Sequence, residues 1–228
     1  MTLNKPEPAP MRYKLVIGNK AYSSWSLRPW LAMRHTGIDF DEVRIPLFEG
    51  DYRERIASYT GAGKVPVLID GEVRVWESLA ICEYLAEHHP DRQLWPAGDS
   101  VRAHARATSA EMHAGFQALR SRMSMNVRRV FTAIDMAPEV AADVARIDAI
   151  WSGCMQRYGG PFLYGGFTIA DAMYAPVATR FTTYAVTLSA PARDYADTVL
   201  ALPAMREWYA AAHAETEVLP QYEQQRRA

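Results

Sequence analysis

Three short stretches of this 228-residue sequence put hydroxyls, backbone amides and charge where a small anionic or zwitterionic molecule could be held. The first is Tyr22-Ser23-Ser24, just ahead of Ser26-Leu27-Arg28-Pro29. Proline is tolerated in the first turn of a helix and costly deeper inside. The spacing therefore predicts a helix over 26–35, stopped by Thr36-Gly37. Ser23, Ser24 and Tyr22 then lie just before a helix N-terminus, whose unpaired N–H groups and partial positive charge favour anions. The second stretch is Gly63-Lys64-Val65-Pro66. A cis bond at Val65-Pro66 would turn the Val65 N–H and C=O outward, free to pair with an extended ligand. The third is Glu77-Ser78, at the start of another predicted helix. There a hydroxyl and free N–H groups can hold a carboxylate while Glu77 holds an ammonium, which suits the zwitterionic head of an amino acid. Taken singly, each stretch also fits a plainer role: a serine cap, an edge strand with a trans proline, an ordinary N-cap.

The elements that must position these residues follow from pattern. A β-type run at 13–17 precedes the first helix, and a second strand is expected at 42–47. A short helix is expected at 51–59. Runs at 65–69 and 72–76 flank Asp70-Gly71, the strongest hairpin signal in the chain. Ser78 is expected to cap a helix running to about His88, stopped by Pro90. The order is β-α-β-α-β-β-α, the first two strands parallel and the last two antiparallel. A turn-rich linker, HHPDRQLWPAGDS, separates this part from a helical, alanine-rich remainder. The expected domains are 12–90 and 99–218. In the second, Val101, Ala105, Thr108, Met112, Phe116, Leu119 and Met123 form one helical stripe, and Val140, Val144, Ile147, Trp151 and Cys154 another. Thr168-Ile-Ala-Asp171 is a capping box, and Leu202-Pro203 opens a last helix.

Composition narrows the function classes. The net charge is −1, without the basic excess expected of a nucleic-acid binder or a membrane-surface protein. No run of 18 uncharged apolar residues is present, and the N-terminal MTLNKPEPAP lacks a signal-peptide core. Two cysteines, Cys82 and Cys154, make neither a disulfide framework nor a zinc motif, so no metal is expected and a cytoplasmic location is. Arg128-Arg129 reads as a solvated surface pair.

Together, strand–loop–helix, X-Pro-strand-turn-strand and Glu-Ser-helix resemble the cytosolic glutathione S-transferase family. The resemblance spans both parts, through Val65-Pro66, Glu77-Ser78-Leu79-Ala80-Ile81 and Thr168-Ile-Ala-Asp171. It implies an α+β thioredoxin-like N-terminal domain followed by an all-α helical-bundle C-terminal domain. It implies a cis Pro66, with the Val65 backbone pairing to the cysteinyl part of glutathione, Glu77 and Ser78 on the γ-glutamyl head, and Lys64 at the glycyl carboxylate. The loop Tyr22-Ser23-Ser24-Trp25-Ser26-Leu27-Arg28 is similar to the serine-type, zeta-like pattern Ser-Ser-Cys-Ser-Trp-Arg, which puts the activating hydroxyl on Ser23, with Ser24 second and Tyr22 as the outsider. Glutathione is then a co-substrate, and a homodimer is implied.

Serine is too weak a base to take the thiol proton, but it can donate a hydrogen bond to the thiolate and so lower its pKa. A shift of two units requires about 2.7 kcal/mol. One charge-assisted hydrogen bond at roughly 1.5–3 kcal/mol plus the helix dipole can supply that. The thiolate would attack a small hydrophobic electrophile lying between the domains, against Met112 and Phe116. The chain departs from the zeta-like pattern at Trp25, which replaces its cysteine, and at Thr183, where that class has a substrate-binding arginine; Arg180 lies about one turn earlier. These departures bear on maleylacetoacetate isomerase activity, the alternative reading beside other glutathione-dependent reactions. A different class is a non-catalytic ligand carrier or interaction module of the same fold. The presence of all three motifs favours the enzyme, and serine rather than cysteine at position 23 argues against a redox role.

Overall fold

The computed structural model describes residues 13–131 and 136–223. The first part runs β1 (Tyr13–Ile17), α1 (Ser24–Thr36), β2 (Phe40–Arg44), α2 (Tyr52–Ala57), β3 (Val67–Asp70), β4 (Val73–Trp76) and α3 (Ser78–His88). This is the expected β-α-β-α-β-β-α order. The sheet order is β2-β1-β3-β4, with β1 parallel to β2 and the other neighbours antiparallel. Side chains alternate across a strand, and β1 shows the result. Leu15 and Ile17 join the main core, whereas Val16 points the other way, into a smaller cluster with Ile45, Ile56 and Val67.

Element boundaries differ from expectation where backbone donors decide them. The helix α1 begins at Ser24, not 26, so Pro29 falls in its second turn. Gly37, in the left-handed region at φ 71°, ends it as anticipated, its N–H donating to Met33 O. Strand β2 sits two residues early: Phe40 is buried against Trp30, and the ladder stops short of Pro46, which has no N–H to give. Strand β3 starts at Val67 because Pro66 likewise has no donor. The cap of α3 is Glu77, not Ser78, which is the helix's first residue.

After a 3-10 turn at Pro90–Arg92 come α4 (Asp99–Ala114), α5 (Gln117–Arg122), α6 (Pro138–Tyr158), α7 (Ile169–Thr183), α8 (Ala190–Leu200), α9 (Pro203–Ala214) and α10 (Pro220–Glu223). Both predicted stripes are core, although the first is split between α4 and α5 at Phe116, whose φ is 60°. At that break Arg120 folds back onto the carbonyls of Gly115 (2.9 Å), Met112 and His113, taking up orphan acceptors at the end of α4. The centre of the bundle is α7, buried on all sides and packed on α1 of the sheet part. Its capping box is present: the Asp171 carboxylate accepts from the Thr168 N–H at 2.7 Å and also from the Leu163 N–H at 3.1 Å. Leu15 of the sheet part and Met173 of α7 belong to one continuous core.

Candidate functional site

The loop 18–23 is held from every side. Gly18 is required by crowding: a Cβ there would meet Leu47 Cδ1 at 2.6 Å and Ser23 Cβ at 3.3 Å. Asn19 Oδ1 accepts from the Leu47 N–H, and the Glu215 carboxylate accepts from the N–H groups of Lys20 and Ala21. Trp208 donates to Lys20 O, and Val127 N–H donates to Ala21 O. The helical part thereby fixes the loop that the sheet part supplies.

Two adjoining cavities meet at Trp25, Lys64 and Val65. The smaller, 290 Å³, is lined also by Pro66, Trp76, Glu77 and Ser78. The Val65-Pro66 bond is cis, and Val65 lies ahead of the first ladder pair, Val67 with Trp76. Glu77 is exposed, with φ 69° and ψ 124°, a region that costs a residue with a Cβ roughly 1–3 kcal/mol. That turn aims the N-terminus of α3 at the cavity. Ser78 is fully buried, and its Oγ accepts from Arg28 Nη1 at 3.3 Å.

Arg28 is itself fully buried, stacked 4.2 Å from the Trp25 ring, with Nε and Nη2 unpartnered. Burial, then the charges of Arg120 and Arg180, push its guanidinium well below the usual range. His113 lies 3.6 Å from the Glu77 carboxylate and edge-on to Trp25, its pKa lowered by burial and then by Arg28.

The larger cavity, 390 Å³, is lined by Tyr22, Ser23, Ser24, Leu47, Phe48, Arg120, Arg180 and Tyr222 among others. Its charged lining consists of Lys64, Arg120 and Arg180, with no carboxylate among the lining residues. Ser23 Oγ is 2.7 Å from Ser26 Oγ, which in turn accepts from the Gly18 N–H at 3.1 Å. Ser26 is fully buried, and Ser23 Oγ is the acceptor within its reach, so the chain runs from Gly18 through Ser26 to Ser23 and leaves the Ser23 proton to point onward. Ser24 Oγ accepts from Arg180 Nη2 at 3.1 Å. The N–H groups of Trp25 and Ser26 precede the closure of Leu27 N–H onto Ser23 O, so both serines stand at the open end of α1.

Tyr22 is not placed to act on a thiol. Its hydroxyl donates to Glu223 at 2.5 Å and accepts from Arg128 and from the Leu219 N–H. Burial, and then this carboxylate, raise its pKa. Its ring stacks on Tyr222. Arg128, expected to be solvated, instead reaches the carbonyls of Glu215 (2.8 Å) and Glu217 (2.7 Å) and clamps the C-terminal segment beside the cavity; Arg129 is exposed and pairs with Glu223.

The expected second-substrate wall also needs correction. Met112 is wholly within the core, Phe116 is buried, and neither lines the two cavities. Their stripe faces inward, and on that side the larger cavity is lined by Ser124, Met125, Arg120 and Arg180 instead. The arginines carried one sequence signal: each interrupts an apolar helical stretch, Arg180 within Ala-Thr-Arg-Phe and Arg28 before Pro-Trp-Leu-Ala. Cys82 is fully buried, its thiol pushed up to about 12 by burial, which leaves it inert. Among the described residues, no group of three or more His, Cys, Asp or Glu side chains could hold a metal.

A four-stranded sheet whose third strand follows a cis proline, backed by a helical bundle, defines a two-part thioredoxin-like fold class. Models of the glutathione S-transferase N-terminal and C-terminal domains match residues 22–88 and 74–211. The chain belongs to the glutathione S-transferase family. It is 39% identical over 97 residues to a probable maleylacetoacetate isomerase from Caenorhabditis elegans, a match covering 42% of this chain and 44% of that relative. The chain thus spans under half the length of that relative. It is 26% identical over 179 residues to a zeta-class glutathione S-transferase from Euphorbia esula, covering 75% of this chain and 80% of the relative. Among solved structures, a glutathione transferase homolog from Burkholderia gl BGR1 with bound glutathione superposes with a TM-score of 0.68 at 19% identity, covering 90% of this chain and all of that one. A glutathione S-transferase from the Antarctic clam Laternula elliptica gives 0.68 at 22% identity, covering 87% of this chain and 94% of that one. The structural likenesses speak for the fold.

Proposed function

We propose that this chain is a glutathione S-transferase that binds glutathione across the two cavities and activates its thiolate for attack on a small electrophile. The observation that carries the reading is the convergence of Ser23, Ser24, the Val65 backbone, Glu77 and Ser78 on two adjoining cavities. The γ-glutamyl head is assigned to Glu77 and Ser78, the Val65 N–H and C=O to the cysteinyl unit, and Lys64 to the glycyl carboxylate. The sulfur then falls at Ser23, Ser24 and the open end of α1. The thiolate is held by hydroxyl donors and the helix terminus rather than by a base. Its attack on an electrophilic carbon forms the C–S bond as the leaving group departs or a double bond takes the electron pair. Residues 12–90 would carry the glutathione site and 99–218 the other wall, in a cytoplasmic homodimer.

A second reading has its own observation. With Lys64, Arg120 and Arg180 lining the larger cavity and no carboxylate beside them, the cavity suits a second substrate bearing a carboxylate, as an isomerase-like activity on an unsaturated keto acid would require. The test of the first reading is a titration of thiolate ultraviolet absorbance for glutathione mixed with the protein. Bound glutathione should ionise well below the free thiol. Binding without that shift removes the transferase reading and leaves a carrier. Turnover of a neutral activated aryl halide against a cis-unsaturated keto acid then separates the two readings.

A further inference from the structure

Arg180 projects from the central helix α7 into the serine end of α1, 156 positions away in sequence from the residue it touches. It is 4% exposed. Its Nε donates to Met123 O at 2.8 Å and its Nη1 to Pro176 O at 3.2 Å, so two carbonyls clamp the guanidinium in one orientation. Its third contact is Nη2 to Ser24 Oγ at 3.1 Å. No carboxylate among the described residues pairs with it. The charges that face it are other cations, Arg120 and Arg28, and Asp143 near Arg120 is occupied with the Leu119 N–H. Burial and then Arg120 lower the Arg180 pKa to about 9, the sign of a cation that lacks a counter-ion.

A guanidinium has donors and no acceptor. The Arg180–Ser24 bond therefore has one sense: Ser24 Oγ accepts, and its own proton must go elsewhere. The Ser23 hydroxyl is backed differently, by the neutral chain from the Gly18 N–H through Ser26. Ser24 alone of the pair is backed by a full charge, and both Ser24 and Arg180 line the larger cavity.

We propose that Arg180 is a positioning residue for the glutathione thiolate: it fixes the Ser24 hydroxyl as a donor to the sulfur and sets an uncompensated positive charge behind it. The inference rests on the transferase reading above and adds to it a second, charge-backed donor supplied by the helical part. A bound thiolate is the counter-ion that Arg180 lacks, so thiol ionisation and the burial of Arg180 favour each other.

The test is the bound-thiol titration on the whole protein, for wild type, Ser23→Ala, Ser24→Ala, Arg180→Met, Arg180→Lys and the Ser24→Ala/Arg180→Met pair. Binding of S-methylglutathione, which has no ionisable thiol, is measured beside it. Ser24→Ala and Arg180→Met should each raise the bound-thiol pKa by about one unit, a tenfold change in ionisation constant. The double variant should fall short of the sum, and S-methylglutathione affinity should hold within about twofold. Arg180→Lys keeps the charge and should restore part of the effect. An unchanged thiol pKa in Ser24→Ala or Arg180→Met overturns the inference, as does a fall in S-methylglutathione affinity that matches the whole effect, which would make Arg180 merely structural. Ser24→Ala deletes one hydroxyl and decides the matter even if Arg180→Met does not fold. A wild-type protein with no thiol shift is a different failure, that of the transferase reading itself.

Discussion

Replacing Arg28 with methionine should make the protein more stable and a poorer binder of glutathione. The guanidinium is fully buried, yet Nε and Nη2 have no partner, and the one hydrogen bond, to Ser78 Oγ, is long at 3.3 Å. Removing two orphaned buried donors should return about 1–3 kcal/mol each. Against this stand the Ser78 bond, about 1.5 kcal/mol at that length, and the stacking on Trp25 at 4.2 Å, about 1–2 kcal/mol. Methionine fills most of the volume left by the stem. The balance centres on a gain of about 1 kcal/mol, in line with other replacements of poorly paired buried charges. Binding moves the other way. Ser78 loses its charged donor, and with it the positive charge that stands directly behind the proposed carboxylate pocket. A loss of about 1.5 kcal/mol corresponds to roughly tenfold in Kd. Urea unfolding without glutathione gives the first number and calorimetric titration with glutathione the second. A variant destabilised by about 2 kcal/mol or more, with unaltered glutathione affinity, would show that Arg28 is a structural strut and refute the reasoning.

Three further outcomes follow from single groups. Glu77→Gly should relieve about 1–3 kcal/mol of positive-φ backbone cost at φ 69°, raising the urea midpoint while weakening glutathione binding through the lost carboxylate. Tyr22→Phe should leave the bound-thiol pKa unchanged, because that hydroxyl is spent on Glu223; it should cost about 1–3 kcal/mol in unfolding experiments and expose the segment 215–223 to faster proteolysis. Burial raises the Asp171 carboxyl from 3.8 to about 6, so the native state binds that proton more tightly than the unfolded one. This group's contribution to stability therefore grows as pH falls through about 6 toward 3.8. The wild-type urea midpoint should rise between pH 7.5 and 5 relative to Asp171→Asn, and equal slopes in the two proteins would refute the assignment.

What could be read from the sequence was local in character. The Gly37 stop, the Asp70-Gly71 hairpin and the capping box at Thr168 each depend on a few neighbouring residues whose backbone preferences agree, and each is present; the cis Val65-Pro66 bond, which local preference alone would leave trans, was implied only by the family resemblance. Ser23, Ser24, Glu77 and Ser78 were placed near two helix N-termini by the same local reasoning, although α1 starts two residues early and the cap of α3 is Glu77 rather than Ser78. Small offsets came from donors rather than patterns: Pro46 and Pro66 end or delay strands that hydrophobic alternation alone would have extended.

The second wall of the site was not legible, because it depends on residues far apart in sequence. A stripe such as Met112, Phe116 and Leu119 says only that a helix has an apolar face, and here the bundle itself covers that face. Arg128 resembles any surface arginine until the C-terminal carbonyls of Glu215 and Glu217 arrive at it. Arg180 is the instructive case. A cation in an apolar helix must be paired, hydrogen-bonded or neutralised if it is buried, so its position in α7 was already a demand for a partner. The sequence could not say that its partners were two backbone carbonyls and a serine hydroxyl on α1 rather than a carboxylate. That difference matters chemically, because a carboxylate would have cancelled the charge, whereas neutral acceptors leave it uncompensated beside the cavity.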